Sequence, residues 1–204
     1  TIEGAQWLAQ YEAYRNACIQ ANQTLYRQYF PKTGCIIMAS GLGKRFGSNK
    51  LMADFDGKPM FLQAIQASEG LSEHRVVVTR HEDVAALCQT IGVRVVLHDL
   101  PHRSDTVRLG LEALGDIDGC LFLPADQPLL QRETVEKLVQ NWSVERDSIM
   151  RPCCGDTPGA PVLFPRWAFP ELLNLPEGTI SSRLSRARKK LEQILKEQEG
   201  GLAQ

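Results

Sequence analysis

A basic, glycine-rich segment directly follows an apolar run at residues 35–39. Glycines can adopt a positive φ and bring backbone N–H groups close to an anion, while lysine and arginine add positive charge and hydrogen-bond donors. The segment holds glycines and cations in close succession: Gly41, Gly43, Lys44, Arg45, Gly47 and Lys50. This combination of residue types at this spacing predicts a site that binds phosphate groups.

Two widespread glycine motifs do not fit this segment. The Walker A pattern needs a second glycine five residues after the first, but that position holds Phe46 when counted from Gly41 and Ser48 when counted from Gly43. The dinucleotide-binding pattern G-x-G-x-x-G also needs a glycine at position 46, whereas the chain has its glycine at Gly47. A P-loop and a hydride-transfer site are therefore not expected. An ordinary strand-to-helix turn has no use for adjacent cations between its glycines.

A second group of polar residues follows later apolar runs. Asp126 lies between two prolines directly after the run 119–123, and a stiff backbone can hold its carboxylate over a metal-bound phosphate. A solvent-facing turn would use the same prolines, but the phosphate segment favours a metal, so we predict that Asp126 binds Mg²⁺. Ser104 and Asp105 offer a hydroxyl and a carboxylate at a predicted helix start, where Ser104 could instead be the N-cap.

Histidine and cysteine spacing predicts no metal cluster. His98 and His102 are four residues apart, but Pro101 argues against a helix that would bring them together, so no zinc is expected. Cys153 and Cys154 have no further histidine or cysteine at a useful interval and are interpreted as incidental thiols. The six cysteines contain no C-x-x-C spacing, which favours a reducing cytoplasm.

The elements that must position these residues alternate along the chain. Short apolar or β-branched runs predict strands at 35–39, 75–79, 93–97, 119–123 and 161–164. Helical patterns lie between them at 58–69, 82–91, 104–115 and 131–142. Alternating strands and helices predict a three-layer α/β/α fold with a mainly parallel sheet, in which ligands bind beyond the carboxyl ends of the strands.

Length and composition limit the classes of function. With 204 residues and 43% hydrophobic content, the chain suits one domain with a terminal appendage. A net charge of −1 provides no global basic field, so nucleic acid is not expected as a partner. Neither a signal peptide nor a run of membrane-spanning length is evident. We therefore expect a soluble cytoplasmic protein that does not bind a membrane.

Several ordered motifs resemble the MobA-like NTP transferases, in particular the molybdenum cofactor cytidylyltransferase branch. These motifs are residues 39–50, Asp56-Gly-Lys-Pro59, Leu123-Pro-Ala-Asp-Gln-Pro128 and Gly159-Ala-Pro-Val-Leu-Phe164, and the resemblance covers about residues 34–178. It implies a Rossmann-like nucleotidyltransferase fold. The nucleotide-binding positions that it implies are Ala39, Ser40, Gly41, Leu42, Gly43, Lys44, Gly47, Thr79, Ser104 and Asp105. Among these, Thr79, Ser104 and Asp105 would face the base or ribose.

The resemblance also implies a reaction. Arg45 and Lys50 would neutralise the phosphates of CTP or another NTP, and Asp126 would bind Mg²⁺. The phosphate of a molybdopterin-like acceptor, held at Gly159, Ala160 and Pro161, would attack the α-phosphorus and expel pyrophosphate. Paired glycines of the GTP-using branch are replaced here by Ala39-Ser40, which favours CTP. Alternatives are a sugar-phosphate type of nucleotidyltransferase and a non-catalytic accessory protein that binds nucleotide or cofactor.

Both ends of the chain depart from the resemblance. Residues 1–32 are predicted as an amphipathic helical extension, with a stripe at Leu8, Tyr11, Tyr14, Cys18, Ala21 and Leu25. Residues 33–178 form the predicted nucleotidyltransferase domain, and 179–204 a basic helix similar to a sigma-factor recognition helix. Because a complete DNA-reading unit needs a scaffold helix before it, we expect this helix to pack on the domain or on a second copy in a homodimer.

Overall fold

The computed structural model describes residues 2–41, 49–69 and 74–174, which belong to two compact units, 1–32 and 33–204. The first unit is a single helix, α1 (Ile2–Tyr29). Leu8, Tyr11 and Tyr14 of the predicted stripe are exposed on it, and the rings of Trp7 and Tyr11 stack with centroids 5.6 Å apart. No described helix is long and apolar enough to cross a bilayer.

The second unit alternates strands with helices. Its strands are β1 (Thr33–Ala39), β2 (Asp54–Phe55), β3 (Lys58–Pro59), β4 (His74–Thr79), β5 (Val95–Leu97), β6 (Gly119–Pro124), β7 (Cys153–Cys154), β8 (Thr157–Pro158) and β9 (Val162–Pro165). Its described helices are α2 (Phe61–Ala67), α3 (Glu82–Thr90), α4 (Arg103–Leu114), α5 (Arg132–Val144) and α6 (Phe169–Asn174). The predicted strands and helices of this region are all present, with ends that differ by a few residues.

Five strands form the main sheet in the order β5-β4-β1-β6-β9. The first four are parallel, and β9 runs antiparallel to β6. After β1, the chain adds β4 and then β5 on one side of β1, and β6 on the other side. The carboxyl ends of β1 and β6 therefore meet where the strand order reverses, which is the usual ligand position in such sheets.

Alternate residues of the central strands supply two separate cores, as the two-residue period of a strand requires. On one face Ile37 and Leu121 pack with apolar residues of α2, α3 and α5, including Phe61 and Trp142. On the other face a second cluster joins the sheet to α4 and α6. Helices thus cover both faces of a mainly parallel sheet, and the predicted three-layer α/β/α class is confirmed.

Two glycines allow helices to approach this sheet closely. A Cβ on Gly110 of α4 would lie 2.6 Å from the side chain of Ile36 on β1. A Cβ on Gly119, at the start of β6, would lie 2.5 Å from the indole ring of Trp142. Neither position has room for a methyl group. The short distance between helix and sheet therefore requires glycine at both positions.

Two small hairpins lie outside the sequence prediction. The β2–β3 turn contains Asp56 and Gly57, both with positive φ (56° and 77°), as a two-residue hairpin turn requires. This hairpin occupies the first residues of the predicted helix 58–69, so α2 begins later, at Phe61. The second hairpin joins β7 to β8 ahead of the sheet-edge strand β9.

Candidate functional site

The central strands bring the predicted site residues to one edge of the sheet. Ala39, the last residue of β1, pairs with Thr79 at the end of β4. On the other side Met38 pairs with Pro124, and the N–H of Ala125 extends this contact by donating to the carbonyl of Met38 at 3.1 Å. Residues that follow β1, β4 and β6 must therefore lie beside one another at the carboxyl edge.

Ser40, the first residue after β1, is held by two neighbours. Its hydroxyl donates to the carbonyl of Val78 at 3.1 Å and lies 2.9 Å from Nε2 of His98. Because a hydroxyl has a single proton, which goes to Val78, Ser40 must accept from the Nε2–H of His98. The backbone N–H of His98 in turn donates to the carbonyl of Thr79 at 3.0 Å. Sequence reasoning considered His98 only as a zinc ligand and missed this contact.

The environment of His98 favours its neutral form. Burial lowers the pKa of the imidazole, and the nearby charge of Arg80 lowers it further, while Asp105 acts in the opposite direction. Its Nδ1 atom is buried and has no hydrogen-bond partner within the described part of the chain. A proton on Nδ1 would be a buried donor without an acceptor, so the same geometry also disfavours the charged ring.

Gly41 is the last described residue before the predicted phosphate loop. Nε2 of His81 lies 2.9 Å from its carbonyl oxygen, and because a carbonyl only accepts, His81 donates this hydrogen bond. Among the described residues, no atom lies within 4 Å of the point where a Cβ of Gly41 would stand. The predicted residues Leu42, Gly43, Lys44, Arg45 and Gly47 lie outside the described residues.

Asn49 and Lys50 are the first described residues after that loop. The Oδ1 atom of Asn49 accepts from the N–H of Leu51 at 3.2 Å and so caps a short 3₁₀ turn that starts at Lys50. Its amide nitrogen donates to both carboxylate oxygens of Asp83, at 2.8 and 3.0 Å. This cap fixes the direction in which Lys50 leaves the backbone.

Lys50 and Asp126 form an open ion pair. Their Nζ and Oδ2 atoms are 3.5 Å apart, and the side chains are 39% and 54% exposed. An exposed pair at this distance is weakly held, because water screens both charges. Either group can therefore leave the ion pair and bind a ligand instead. The structure thus brings together two predicted catalytic residues that are 76 positions apart in sequence.

Asp126 fits a cation that is shared with a bound triphosphate. Mg²⁺ commonly takes one or two protein carboxylates and completes its coordination with substrate phosphates and water. Asp126 offers a half-exposed carboxylate at the strand edge. Within residues 2–41, 49–69 and 74–174, no three His, Cys, Asp or Glu side chains are grouped as an all-protein cage would require. The donor set therefore suits a metal–nucleotide complex.

Thr79 and Asp105, which are predicted to face the base or ribose, form hydrogen bonds within the protein, and Ser104 lies in the first turn of α4. Thr79 is fully buried, and its hydroxyl donates to the carbonyl of Ala39 at 3.0 Å and accepts from the N–H of His81 at 3.1 Å. Asp105 accepts from the N–H of His102 at 3.1 Å. The alternative that Ser104 is the N-cap is wrong, because α4 begins one residue earlier and His102 is its N-cap. Contact of these residues with nucleotide stays a prediction.

The predicted acceptor residues lie where the chain enters β9. Because β9 runs opposite to β6 and Val162 pairs with Phe122, the chain enters β9 near the carboxyl end of β6. Gly159 donates from its N–H to the carbonyl of Pro152 at 2.8 Å, and its own carbonyl accepts from the guanidinium of Arg151 at 2.7 and 3.1 Å. The peptide bond between Ala160 and Pro161 is cis. Contact with an acceptor stays a prediction for these residues.

Comparison with known proteins identifies the family that the sequence of this chain matches. A family model described as a MobA-like NTP transferase domain matches residues 35–197. A 3-deoxy-manno-octulosonate cytidylyltransferase of Neisseria meningitidis is 35% identical over 106 residues, which are 45% of this chain and 40% of that relative. The matched part thus spans well under two thirds of the curated relative.

Solved structures support the fold. Rv0371c of Mycobacterium tuberculosis superimposes with a TM-score of 0.64 at 20% identity, over 72% of this chain and 78% of that one. The same protein has also been solved as a complex with manganese, with a TM-score of 0.59 at 17% identity, over 71% of this chain and 76% of that one. A CMP:2-keto-3-deoxy-manno-octonic acid synthetase complexed with CTP gives 0.59 at 15% identity, over 80% of this chain and 86% of that one. At these identities the likeness concerns the fold alone.

Proposed function

The chain belongs to the MobA-like NTP transferase domain family, and from this premise we propose that it transfers CMP from CTP to a small acceptor and releases pyrophosphate. The observation that carries the proposal is the open pair of Lys50 and Asp126, 3.5 Å apart at the carboxyl edge of the sheet. A cation and a carboxylate there, beside a basic glycine-rich loop, are the groups that a metal-bound triphosphate needs.

The first acceptor that we propose is a sugar acid. This choice is supported by the Neisseria relative, whose name specifies 3-deoxy-manno-octulosonate and a cytidylyl group. It replaces molybdopterin as the leading candidate, since none of the relatives described above has a name that specifies a molybdenum cofactor. Molybdopterin stays a second acceptor on the strength of the sequence motifs alone. Both compounds are small, anionic and able to present an oxygen nucleophile.

The reaction requires in-line displacement at phosphorus. An acceptor oxygen forms a bond to the α-phosphorus of CTP while the bond from that phosphorus to the β-phosphate oxygen breaks, and pyrophosphate leaves with the electron pair. When the acceptor group is a hydroxyl, its proton is released to solvent. A divalent cation, when bound with the nucleotide, neutralises phosphate charge. This part of the proposal is supported by the manganese complex of Rv0371c. Mg²⁺ is the specific ion that we expect here.

The residues of this chain bind and orient the reactants. Asp126 supplies a carboxylate toward the metal–nucleotide complex, and Lys50 exchanges this carboxylate for a phosphate oxygen. Ser40, fixed by Val78 and His98, sets where the phosphate loop leaves β1. Arg45 remains the predicted second cation on the leaving pyrophosphate. No protein nucleophile takes part, so the rate enhancement comes from positioning and charge stabilisation.

Pyrophosphate release with Mg²⁺ tests the activity. The protein is incubated with each of CTP, GTP, UTP and ATP, paired in turn with 3-deoxy-manno-octulosonate, a hexose 1-phosphate and molybdopterin. We expect release with CTP and the sugar acid, and none when the acceptor or the metal is omitted. Absence of pyrophosphate from all pairs would falsify the transferase activity as proposed with these acceptors.

A non-catalytic accessory protein is the alternative from another class. Calorimetry separates it from the enzyme, because an accessory protein binds CTP without turnover and its affinity is unchanged by Asp126→Asn. An enzyme loses Mg²⁺-dependent turnover in the same variant. The exposed Lys50–Asp126 pair favours catalysis, because a binding module needs no carboxylate that repels a triphosphate in the absence of metal.

A further inference from the structure

The N-terminal end of α3, with the His81 that precedes it, contacts both described ends of the glycine-rich segment. His81 bonds to Gly41 at one end and Asp83 bonds to Asn49 at the other. We propose that His81 and Asp83 are positioning residues that hold Gly41 and Asn49 at a fixed separation, and so keep Lys50 in place for the triphosphate. The inference rests on the nucleotide-binding function proposed above and concerns residues that neither the motifs nor the comparisons assign.

The first of these two contacts, which we call ties, joins His81 to Gly41 and is anchored in the buried sheet. Thr79 donates to Ala39, so it joins the last residues of β4 and β1. The same hydroxyl accepts from the N–H of His81 and fixes the backbone of that residue at 3.1 Å. The imidazole then donates to the carbonyl of Gly41 at 2.9 Å. Three consecutive hydrogen bonds thus place the start of the loop relative to the core.

The second tie has a charged acceptor. Both oxygens of the Asp83 carboxylate accept from the Asn49 amide, at 2.8 and 3.0 Å, and hydrogen bonds to an ionised group are stronger than neutral ones. Asn49 also caps the turn that begins with Lys50. A change at Asp83 is therefore transmitted to the residue whose Nζ lies 3.5 Å from Asp126.

Both ties end at the well-anchored start of α3. His81 and Asp83 are two residues apart, and Val84 directly after them is fully buried in the core. The ends of the loop therefore share one rigid reference. Without such ties, Gly41 and Asn49 would lose backbone entropy when a triphosphate binds beside them, and this loss would weaken binding. The expected signature is an effect on CTP affinity that leaves acceptor binding unchanged.

Single and double substitutions of the full chain test the proposal. His81→Ala and Asp83→Ala each remove one tie, whereas His81→Gln retains a side-chain N–H and Asp83→Asn retains a carbonyl acceptor. Glu82→Gln removes a charge from the exposed residue between them and is the matched control. The measurements are calorimetric Kd for CTP with Mg²⁺, KM for CTP and for the acceptor, melting temperature, and hydrogen–deuterium exchange of residues 38–53 without nucleotide.

We expect each alanine variant to raise the Kd and KM for CTP about three- to tenfold, as the loss of one hydrogen bond predicts. The KM for the acceptor should be unchanged. His81→Gln and Glu82→Gln should stay within about twofold of wild type, whereas Asp83→Asn, which keeps an acceptor but loses the charge, should lie between wild type and Asp83→Ala. In the double alanine variant the increase should fall short of the product of the single effects, because one free end already releases the loop.

Two results would overturn the proposal. One is wild-type CTP affinity together with wild-type exchange of residues 38–53 in both alanine variants. The other is an increase in Kd for Glu82→Gln as large as that for Asp83→Ala, which would identify a general charge effect. If wild-type protein binds none of the four nucleotides, the proposed function fails instead. The exchange measurement still decides whether the two ties order the loop.

Discussion

Asp126 and Asp116 flank the same strand but lie in different chemical settings. Asp126 follows β6 at the carboxyl edge and faces Lys50 at 3.5 Å, whereas Asp116 precedes β6 and contacts Arg166 at 2.6 Å. Both carboxylates are more than half exposed and each is paired with a cation. Substitution of Asp116 is therefore a matched control for substitution of Asp126, because both changes remove one exposed, paired carboxylate but only Asp126 lies in the candidate site.

We expect Asp126→Asn to lower Mg²⁺-dependent turnover at least about a hundredfold, because an amide is a poor ligand for a hard cation and carries no charge. Asp116→Asn should leave turnover within about twofold of wild type. Pyrophosphate release at saturating CTP measures both variants. Equal losses in the two would contradict a specific role for Asp126.

His98 predicts a pH dependence of stability. Its folded-state pKa is lowered, first by burial and then by Arg80, so between that value and the unfolded value of about 6.5 only the unfolded state binds the proton. Stability from the neutral ring is therefore complete above about pH 6.5 and is lost as pH falls through the folded-state pKa. Arg108 acts in the same direction as Arg80, while Asp99 and Asp105 oppose it.

Urea unfolding from pH 5 to 8 checks this expectation. Wild type should lose stability more steeply than His98→Gln as the pH falls below about 6.5, since glutamine keeps a donor for Ser40 but does not titrate. The other histidines are present in both proteins, so the difference in slope reports on His98. Parallel curves would show that its pKa is unchanged by folding.

At the scale of single elements, Gly119 shows how one missing side chain sets the position of a helix. A Cβ on Gly119, at the start of β6, would lie 2.5 Å from the indole ring of Trp142 on α5. A buried aromatic ring cannot move aside without disturbing the core cluster around it. The position of α5 on this face therefore depends on a glycine at residue 119.

We expect Gly119→Ala to lower the free energy of unfolding by about 1–3 kcal/mol through overpacking. In a background of Trp142→Leu, which opens space, the same change should cost less. Urea unfolding of the four proteins gives the coupling energy directly. Additive effects would mean that the added methyl group does not meet the ring.

Strand and helix positions were predictable because local sequence determines them. Runs such as Val76-Val-Val78 in β4 are β-branched and buried throughout, and their short length and β-branching distinguish them from helices. The β2–β3 hairpin was missed although its Asp56-Gly57 turn was visible, because two-residue strands leave no periodic pattern. Pairing of distant strands is not encoded locally, so the adjacency of β1 and β6 had to come from the structure.

The charged residues of the candidate site could be selected from the sequence. Lys50 and Asp126 were selected by charge and by position after a strand, and the structure places them together. His81, Asp83 and Asn49 were missed, because their function depends on contacts across 34 to 40 positions of sequence. Position after a strand was the available signal for His81, which lies two residues beyond β4.

For the molecule as a whole, burial divides the six cysteines into three classes: buried, half-buried and exposed. All six are free thiols, of which Cys153 and Cys154 are exposed. Burial raises the pKa of Cys35 to about 12 and that of Cys88 to about 11, and it also raises the pKa of Cys120. Only the thiolate is nucleophilic, so the buried cysteines should be inert near neutral pH.

Titration with a thiol reagent at pH 8 should therefore show a fast phase of about two thiols, from Cys153 and Cys154, with half-buried Cys18 slower. Denaturant should release the remaining three. The double variant Cys153→Ser/Cys154→Ser should lose the fast phase. Rapid reaction of more than three thiols in native protein would indicate that the core opens on the timescale of the assay.

The family match also extends beyond the region suggested by the motifs. It continues to residue 197 and so includes most of the basic segment that resembles a recognition helix. That segment lies outside the described residues, and its packing stays a prediction. Its inclusion in the match favours a part in the transferase over DNA binding.

The β7–β8 hairpin gives the molecule a natural point of diversification. Its base is closed by the hydrogen bond from Gly159 to Pro152 and by Arg151, while its outer residues are exposed. Residues between Pro152 and Gly159 can therefore change in number and type without altering the pairing of β9 with β6. If the acceptor binds at this edge, a lineage could acquire a new acceptor by exchanging one hairpin, while the nucleotide half of the enzyme is inherited unchanged.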